Sequence, residues 1–299
     1  MRHLQPGKIV DNLWYLGREE AGIYVLESGN ESIMINGGLN YILPDVLEQM
    51  RAFGIDANRI KKLLVLHSHF DHVGIVPHFK RTYPGIEVIA SKTAWQIFAM
   101  PKAQAIINSF GQIAAKQMGF EEALRGYDLE WRDDITGTAV GEGDSIDLGG
   151  LTLKIYDTPG HSNCSITAYE PGLKALFASD AVGVIFKDMI FPSMNTNVTQ
   201  YLESLQKLKP LPVAYICADH CGYITGEEAE GFVVATIVEG EKWKGVFEDL
   251  VRRHGGNIDA AAKEILDNFF KEYPDYFIVR EIMEGVFKQM LKFISKTMQ

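Results

Sequence analysis

Residues 64–74 read Leu64-Val65-Leu66-His67-Ser68-His69-Phe70-Asp71-His72-Val73-Gly74 (LVLHSHFDHVG). The apolar run Leu63 to Leu66 has the branching of a buried strand, and it ends on four metal-competent side chains within six positions. Buried without a cation, three imidazoles and a carboxylate need many hydrogen-bond partners, and each unmatched polar atom is costly. A metal removes that cost. In an extended continuation of the strand, His67 and His69 lie two apart and leave the chain on the same side. Asp71 and His72 follow on the turn into a helix beginning near Val73. Imidazole and carboxylate suit zinc, iron, manganese or nickel, so the donors alone do not name the ion.

Further ligands are expected where later strands end. His161 follows YDTPG, Asp180 follows ALFAS and His220 follows YICAD, each after an apolar run and beside small or turn-forming residues. Strand ends are where open α/β architectures collect their sites. Asp219 reads either as an acceptor that orients a histidine or as a turn residue. Cys221 adjoins His220 and reads as packing.

The surrounding pattern is α/β. Residues 8–37 alternate as antiparallel strands punctuated by Gly-Asn and Gly-Gly, and Val46, Leu47, Met50 and Phe53 share a helical face. KLLVLHSH, a helix over 74–83 and IEVIAS make a βαβ rhythm. Residues 91 to about 130 form a helical insertion broken at Pro101, whose Trp95, Phe98, Ile106, Ile107, Phe110 and Ile113 face either the core or a substrate pocket. Strands return at AVGEGDSIDLGG and LTLKIYDTPG, and Glu170-Pro171-Gly172 turns a hairpin. Beyond about residue 235 the chain is helical. Its apolar stripes, such as Ala262, Ile265, Leu266, Phe269 and Phe270, require cover from the main domain, from each other or from a second copy. The expected division is therefore a catalytic domain over 1–235 and a helical cap over 236–299, with a homodimer left open.

Composition bounds the function. The 299 residues are 46% hydrophobic and 23% charged, with a net charge of −10. Lys and Arg occur in pairs such as Lys61-Lys62 and Arg252-Arg253, which argues against the clustered positive surface that nucleic acid requires. No apolar run approaches the roughly 18 residues of a membrane span. The N-terminal residues lack a signal core, and three cysteines make no disulfide framework, so a cytoplasmic protein acting on a small molecule is expected. Ser68 and Ser162 lie outside any G-x-S-x-G elbow, which argues against serine catalysis.

The ordered series HSHFDH, TPGHS, SD and DH resembles the metallo-β-lactamase superfamily over roughly the first 235 residues. That resemblance implies a four-layer αβ/βα sandwich with metals at one edge. It implies one divalent ion on His67, His69 and His161, a second on Asp71, His72 and His220, and Asp180 bridging them, the ions being zinc or iron with manganese a further candidate. Aspartate at 180 resembles the glyoxalase II-like hydrolases, lactonases and phosphodiesterases rather than the best-known lactamases. Histidine at 69 departs from the flavodiiron oxygen reductases, which carry glutamate there. The helical insertion, TQYLESLQKLKPLP and the helical tail resemble in layout the pseudomonad quinolone-signal response thioesterases, di-iron enzymes acting on an aromatic β-ketoacyl-CoA. The implied reaction is cleavage of a thioester or related ester in a small acyl substrate by a metal-bridging hydroxide, with Asp71 also handling the proton. A phosphodiesterase, a lactonase or a regulatory protein that keeps the metal site are the alternatives, and Phe186 and Phe191 line an acyl pocket or serve as core.

Overall fold

The computed structural model describes residues 1–298. Its chain falls into two compact units. The larger comprises Met1–Asp157, Cys164–Ser179 and Pro212–Glu230, and the smaller Thr158–Asn163, Asp180–Leu211 and Gly231 onward.

The larger unit is built on two sheets of seven strands. Its first twelve strands in chain order are β1 (Arg2–His3), β2 (Gly7–Val10), β3 (Leu13–Arg18), β4 (Ala21–Ser28), β5 (Glu31–Ile35), β6 (Ile60–Leu64), β7 (Glu87–Ser91), β8 (Gly137–Val140), β9 (Ser145–Asp147), β10 (Thr152–Asp157), β11 (Ile166–Glu170) and β12 (Ala175–Phe177), and two more follow near residue 220. β2 to β8 form one sheet in sequence order, antiparallel as far as β5 and parallel from β5 to β8. Parallel neighbours need crossovers, and the helices α1 (Leu43–Phe53), α2 (Val76–Thr82), α3 (Lys92–Phe98) and α4 (Pro101–Gln117) supply them. One apolar cluster lies between this sheet and its helices, holding Val46, Met50, Val73, Phe79 and Val88. A second lies between the sheets, where Tyr24, Ile35 and Leu64 of one meet Ile155, Ala168 and Phe177 of the other. Two buried layers on either side of one sheet explain why the end of β6 reads as a continuous apolar run.

The smaller unit contains the hairpin β13 (Val184–Phe186) and β14 (Met189–Phe191), then α5 (Val198–Leu208), most of α6 (Glu227–Arg253), α7 (Ile258–Glu272) and α8 (Arg280–Thr297). Phe191 sits among the rings of Trp243, Phe269, Tyr276 and Phe287, with centroids 5.3 to 6.3 Å away. Of the two phenylalanines offered for an acyl pocket, Phe191 is thus an aromatic core residue, and Phe186 packs on Tyr276 at 5.0 Å. The stretch after Asp180 is a hairpin rather than a plain loop.

Three other expectations are refined. KIVDNLWYLG divides at Asp11-Asn12 into β2 and β3, because that dipeptide turns the chain back. The run AVGEGDSIDLGG divides between the sheets, β8 joining one and β9 the other. The final sheet strand is not the one that ends at Cys217: β15 (Tyr215–Cys217) is followed by β16 (Tyr223–Thr225), which pairs with both β15 and β1. No described helix is long and apolar enough to cross a membrane.

His78 on α2 is half-buried against the rings of Phe79 and Tyr127. Burial holds its imidazole below the ordinary histidine value, outweighing the attraction of Asp128. The unfolded chain therefore takes up this proton more readily than the folded one. The resulting stability is fully present above about pH 6.5 and is lost as the pH falls through and below that value. His78→Phe is expected to shrink the drop in melting temperature between pH 7.5 and pH 5.5; an unchanged drop would assign the acid sensitivity elsewhere.

Candidate metal centre

The larger unit carries His67, His69, Asp71, His72 and His220. Beyond β6 the chain stays extended, with Val65 N–H donating to Ile89 O and Ile166 N–H to Leu66 O. His67 and His69 leave it as near neighbours, their ring centroids 4.7 Å apart. A short 3-10 turn, Phe70–His72, then brings the His72 ring to 4.0 Å from that of His67. The turn is held from below by the Asn36-Gly37-Gly38 corner after β5: Gly37 N–H donates to His72 O, and Gly74 N–H to Gly38 O. A Cβ on Gly74 would stand 2.2 Å from Asn40 N, so the close approach of these two corners requires glycine there.

Asp71, His72 and His220 converge. His72 Nε2 and His220 Nε2 are 3.3 Å apart, and each lies 3.6 Å from Asp71 Oδ2. The far nitrogen of each ring fixes its tautomer. His220 Nδ1 is 2.7 Å from Glu20 O, which can only accept, and His72 Nδ1 is 2.9 Å from Asp219 Oδ2. Both Nδ1 atoms therefore donate, and both Nε2 atoms present lone pairs toward each other and toward a carboxylate. Three converging lone pairs repel unless a cation lies among them. The separations also suit one: the corners of a tetrahedron with bonds of about 2.0–2.2 Å lie roughly 3.3–3.6 Å apart. The donor set and its spacing fit a divalent transition metal.

Asp219 thus accepts from a donor histidine, which decides between its two readings. Its Oδ2 also accepts from Asn36 Nδ2 and from Ser179 Oγ. Asn36 in turn takes Leu66 N–H on its Oδ1 at 2.8 Å, tying the β6 extension to the loop that carries His220. Ser179 Oγ lies 3.3 Å from His67 Nδ1. Asn36, Ser179 and Cys221 all hold positive φ without being glycine (62°, 49° and 59°), a conformation uncommon enough to mark these corners as fixed by their surroundings. The sequence reading missed Asn36 and Ser179. Their only local signals were a place just before the Gly-Gly pair, read as punctuation, and proximity to Asp180.

The two cysteines beside this loop are buried. Burial pushes the Cys221 thiol up to about 12 and raises that of Cys217 well above its ordinary value, so both stay protonated near neutral pH.

The smaller unit carries His161 and Asp180, both buried. His161 Nδ1 donates to Ser193 O at 2.8 Å, and its Nε2 faces Asp180 Oδ2 at 3.3 Å. The logic is that of His72 and His220: a lone pair opposed to a carboxylate is arranged for a cation. Gly160, at φ +130°, lets this segment press on α5, since a Cβ there would stand 2.3 Å from the Tyr201 backbone.

The apolar side chains of α3 and α4 that could face core or pocket divide between the two. Phe98 and Ile107 are buried, whereas Ile106, Phe110 and Ile113 are 40–47% exposed. Phe110 packs edge-on against Phe70 at 5.3 Å, so the outward face of α4 continues onto the donor turn.

Comparison with known proteins agrees with this geometry. The sequence pattern of the metallo-beta-lactamase superfamily matches residues 20–220, which include all seven donors. The metallo-beta-lactamase fold-containing protein ST1585 of Sulfurisphaera tokodaii is 24% identical over 203 residues, 66% of this chain and 72% of that protein. A hydroxyacylglutathione hydrolase of Xylella fastidiosa (strain M12) is 27% identical over 159 residues, 53% of this chain. The match spans only 45% of that hydrolase. Among solved structures, the metallo-beta-lactamase family protein TTHA1429 from Thermus thermophilus superposes with a TM-score of 0.67 at 16% identity, over 97% of this chain and 94% of that one. With its αβ/βα strand order, its donors at strand ends and a matching pattern over more than half its length, this chain belongs to the metallo-beta-lactamase superfamily.

Proposed function

We propose that this protein is a metal-dependent hydrolase that cleaves a thioester of a small acyl substrate. The observation that carries the proposal is the Asp71, His72 and His220 triangle, whose atom separations of 3.3 to 3.6 Å and fixed tautomers suit a single cation. The likeness to hydroxyacylglutathione hydrolases supports a thioester over other esters. His67, His69 and His161 would hold one divalent ion, and Asp71, His72 and His220 a second, with Asp180 shared. Such ions, when bound, lower the pKa of water and polarise a carbonyl oxygen.

The chain's own groups have separate tasks. Glu20 O and Asp219 hold the His220 and His72 rings with Nε2 turned inward. Asp71, the partly exposed member of its triangle, is placed to take the proton released as water adds to the acyl carbon. The carbon–sulfur bond then breaks and the thiolate leaves, a group that needs little protonation.

Removing metal with a chelator is expected to abolish hydrolysis of acyl thioesters of coenzyme A or glutathione, and returning zinc, iron or manganese one at a time to restore it. Elemental analysis of protein purified without added metal names the native ion. Full turnover after chelation, or faster turnover of lactones or phosphodiesters than of any thioester, would replace this reading.

A further inference from the structure

Of the three donors Asp71, His72 and His220, two come from one turn and the third from a separate loop. Asp71 and His72 are neighbours on the Phe70–His72 turn, so local backbone geometry sets their separation. His220 arrives alone, on the loop from Ala218 to Gly222 between β15 and β16. The 3.3 Å between its Nε2 and that of His72 therefore depends on what holds this loop.

The loop is neither helix nor strand. Its last two residues, Cys221 and Gly222, both take left-handed backbone angles (φ 59° and 80°), so the chain doubles back and brings the carbonyls of Ala218 and Gly222 toward one point. The Tyr24 hydroxyl occupies that point. It donates to Ala218 O at 2.5 Å and lies 3.4 Å from Gly222 O, so one group from β4 closes both ends of the segment that carries Asp219 and His220. Tyr24 is itself fixed. It is fully buried between the two sheets, its ring 5.5 Å from that of Tyr15 and 5.6 Å from that of Phe177. The turn between β3 and β4 holds the loop through backbone groups, with Gly22 N–H donating to Asp219 O at 2.6 Å and Cys221 N–H to Glu19 O at 2.7 Å. A side-chain substitution removes neither of those bonds, whereas the Tyr24 tie hangs on one oxygen atom.

We propose that Tyr24 is a positioning residue for the metal centre, its hydroxyl holding the loop so that His220 Nε2 meets Asp71 and His72. The inference rests on reading those three donors as a metal site and adds the side chain that brings the third of them into place. Facing sheets lie about 10 Å apart, a gap that a phenylalanine ring fills but that a para-hydroxyl bridges with a hydrogen bond. Both carbonyls near that hydroxyl belong to the backbone, so Tyr24 acts on His220 through the loop and not by touching an ion. A transition-metal site needs ligand distances within about 0.2 Å of their ideal values, and a small drift of the loop therefore weakens binding.

The test titrates the full chain with cobalt(II), whose visible absorption reports its coordination geometry, against a competing metal indicator. His220→Ala identifies the binding step and the absorption band that belong to its ion. Tyr24→Phe is expected to weaken that step roughly tenfold, as loss of an outer partner does, and to alter that band, while any other step moves less than twofold. Tyr169→Phe is the matched control, because its hydroxyl donates to Pro212 O at 2.6 Å near the end of β11 away from the donors. It is expected to lower the melting temperature much as Tyr24→Phe does, with affinities and spectrum unchanged. Equal weakening of every step, the same weakening in Tyr169→Phe, or no weakening in Tyr24→Phe would overturn the inference. para-Aminophenylalanine in place of Tyr24 keeps an N–H donor opposite Ala218 O and is expected to recover part of the affinity. Should Tyr24→Phe fail to fold, this weaker donor carries the test: the step assigned to His220 must weaken more than any other, and wild-type affinity there would count against the proposal. A wild-type chain with no step sensitive to His220→Ala ends the metal reading, and this inference with it.

Discussion

Alanine at Asp219 is expected to lower the unfolding free energy by about 3–5 kcal/mol and metal affinity by roughly 10- to 100-fold. The carboxylate is 2% exposed and its Oδ2 accepts from His72, Asn36 and Ser179. Its loss strands three donors where water does not reach, and a buried donor left unmatched costs more than its hydrogen bond gained. The His72 ring also loses the acceptor that turns Nε2 inward. Asp219→Asn should recover part of the stability, because its carbonyl still accepts, but only a fraction of the metal affinity, because a neutral oxygen is a poorer partner for an imidazole that a cation has polarised. Urea melts and a competition titration with a metal indicator read the two quantities separately. A variant that loses affinity with no change in stability would show that Asp219 acts on the ion alone and that the surrounding bonds are dispensable.

The second large effect concerns Asp71. Asp71→Asn removes the proton acceptor while keeping the shape of the side chain and an oxygen donor within the triangle. General-base groups contribute about 10²- to 10⁴-fold, so kcat on a thioester is expected to fall within that range. The melting temperature should hardly move, since the side chain is partly exposed and carries none of the buried bonds of Asp219. Metal content measured on the same preparation divides the loss between proton handling and ion binding. If kcat falls only in proportion to lost metal, Asp71 is a ligand and nothing more.

The order of expected effects follows from where each carboxylate sits. Asp219 lies deep in a hydrogen-bonded corner and governs folding and ring orientation; Asp71 stands at the open side and governs turnover. Neither difference is visible in the residue type.

Much of the centre was legible in the chain. Four donors in six positions after an apolar run, followed by single donors at three later strand ends, is a pattern set by covalent order and by the strand period of two. The turn at Phe70–His72, the helices α1 and α2 and the hairpin at Glu170 through Gly172 rest on local preferences that act within a few residues. Those forces are short-ranged, so sequence alone determined where donors gather, which segments are strand or helix, and that the parallel strands β5 to β8 need helical crossovers. Pairings between distant residues had no such signal. That β1 joins β16, that Asn36 reaches Asp219 across 183 positions, and that Glu20 offers its carbonyl to His220 were decided by the tertiary structure. So was the outward face of α4, because helical periodicity says which residues share a face but not what covers it. The ring tautomers, and with them the direction of every lone pair in the centre, exist only once the fold has placed an acceptor behind each imidazole.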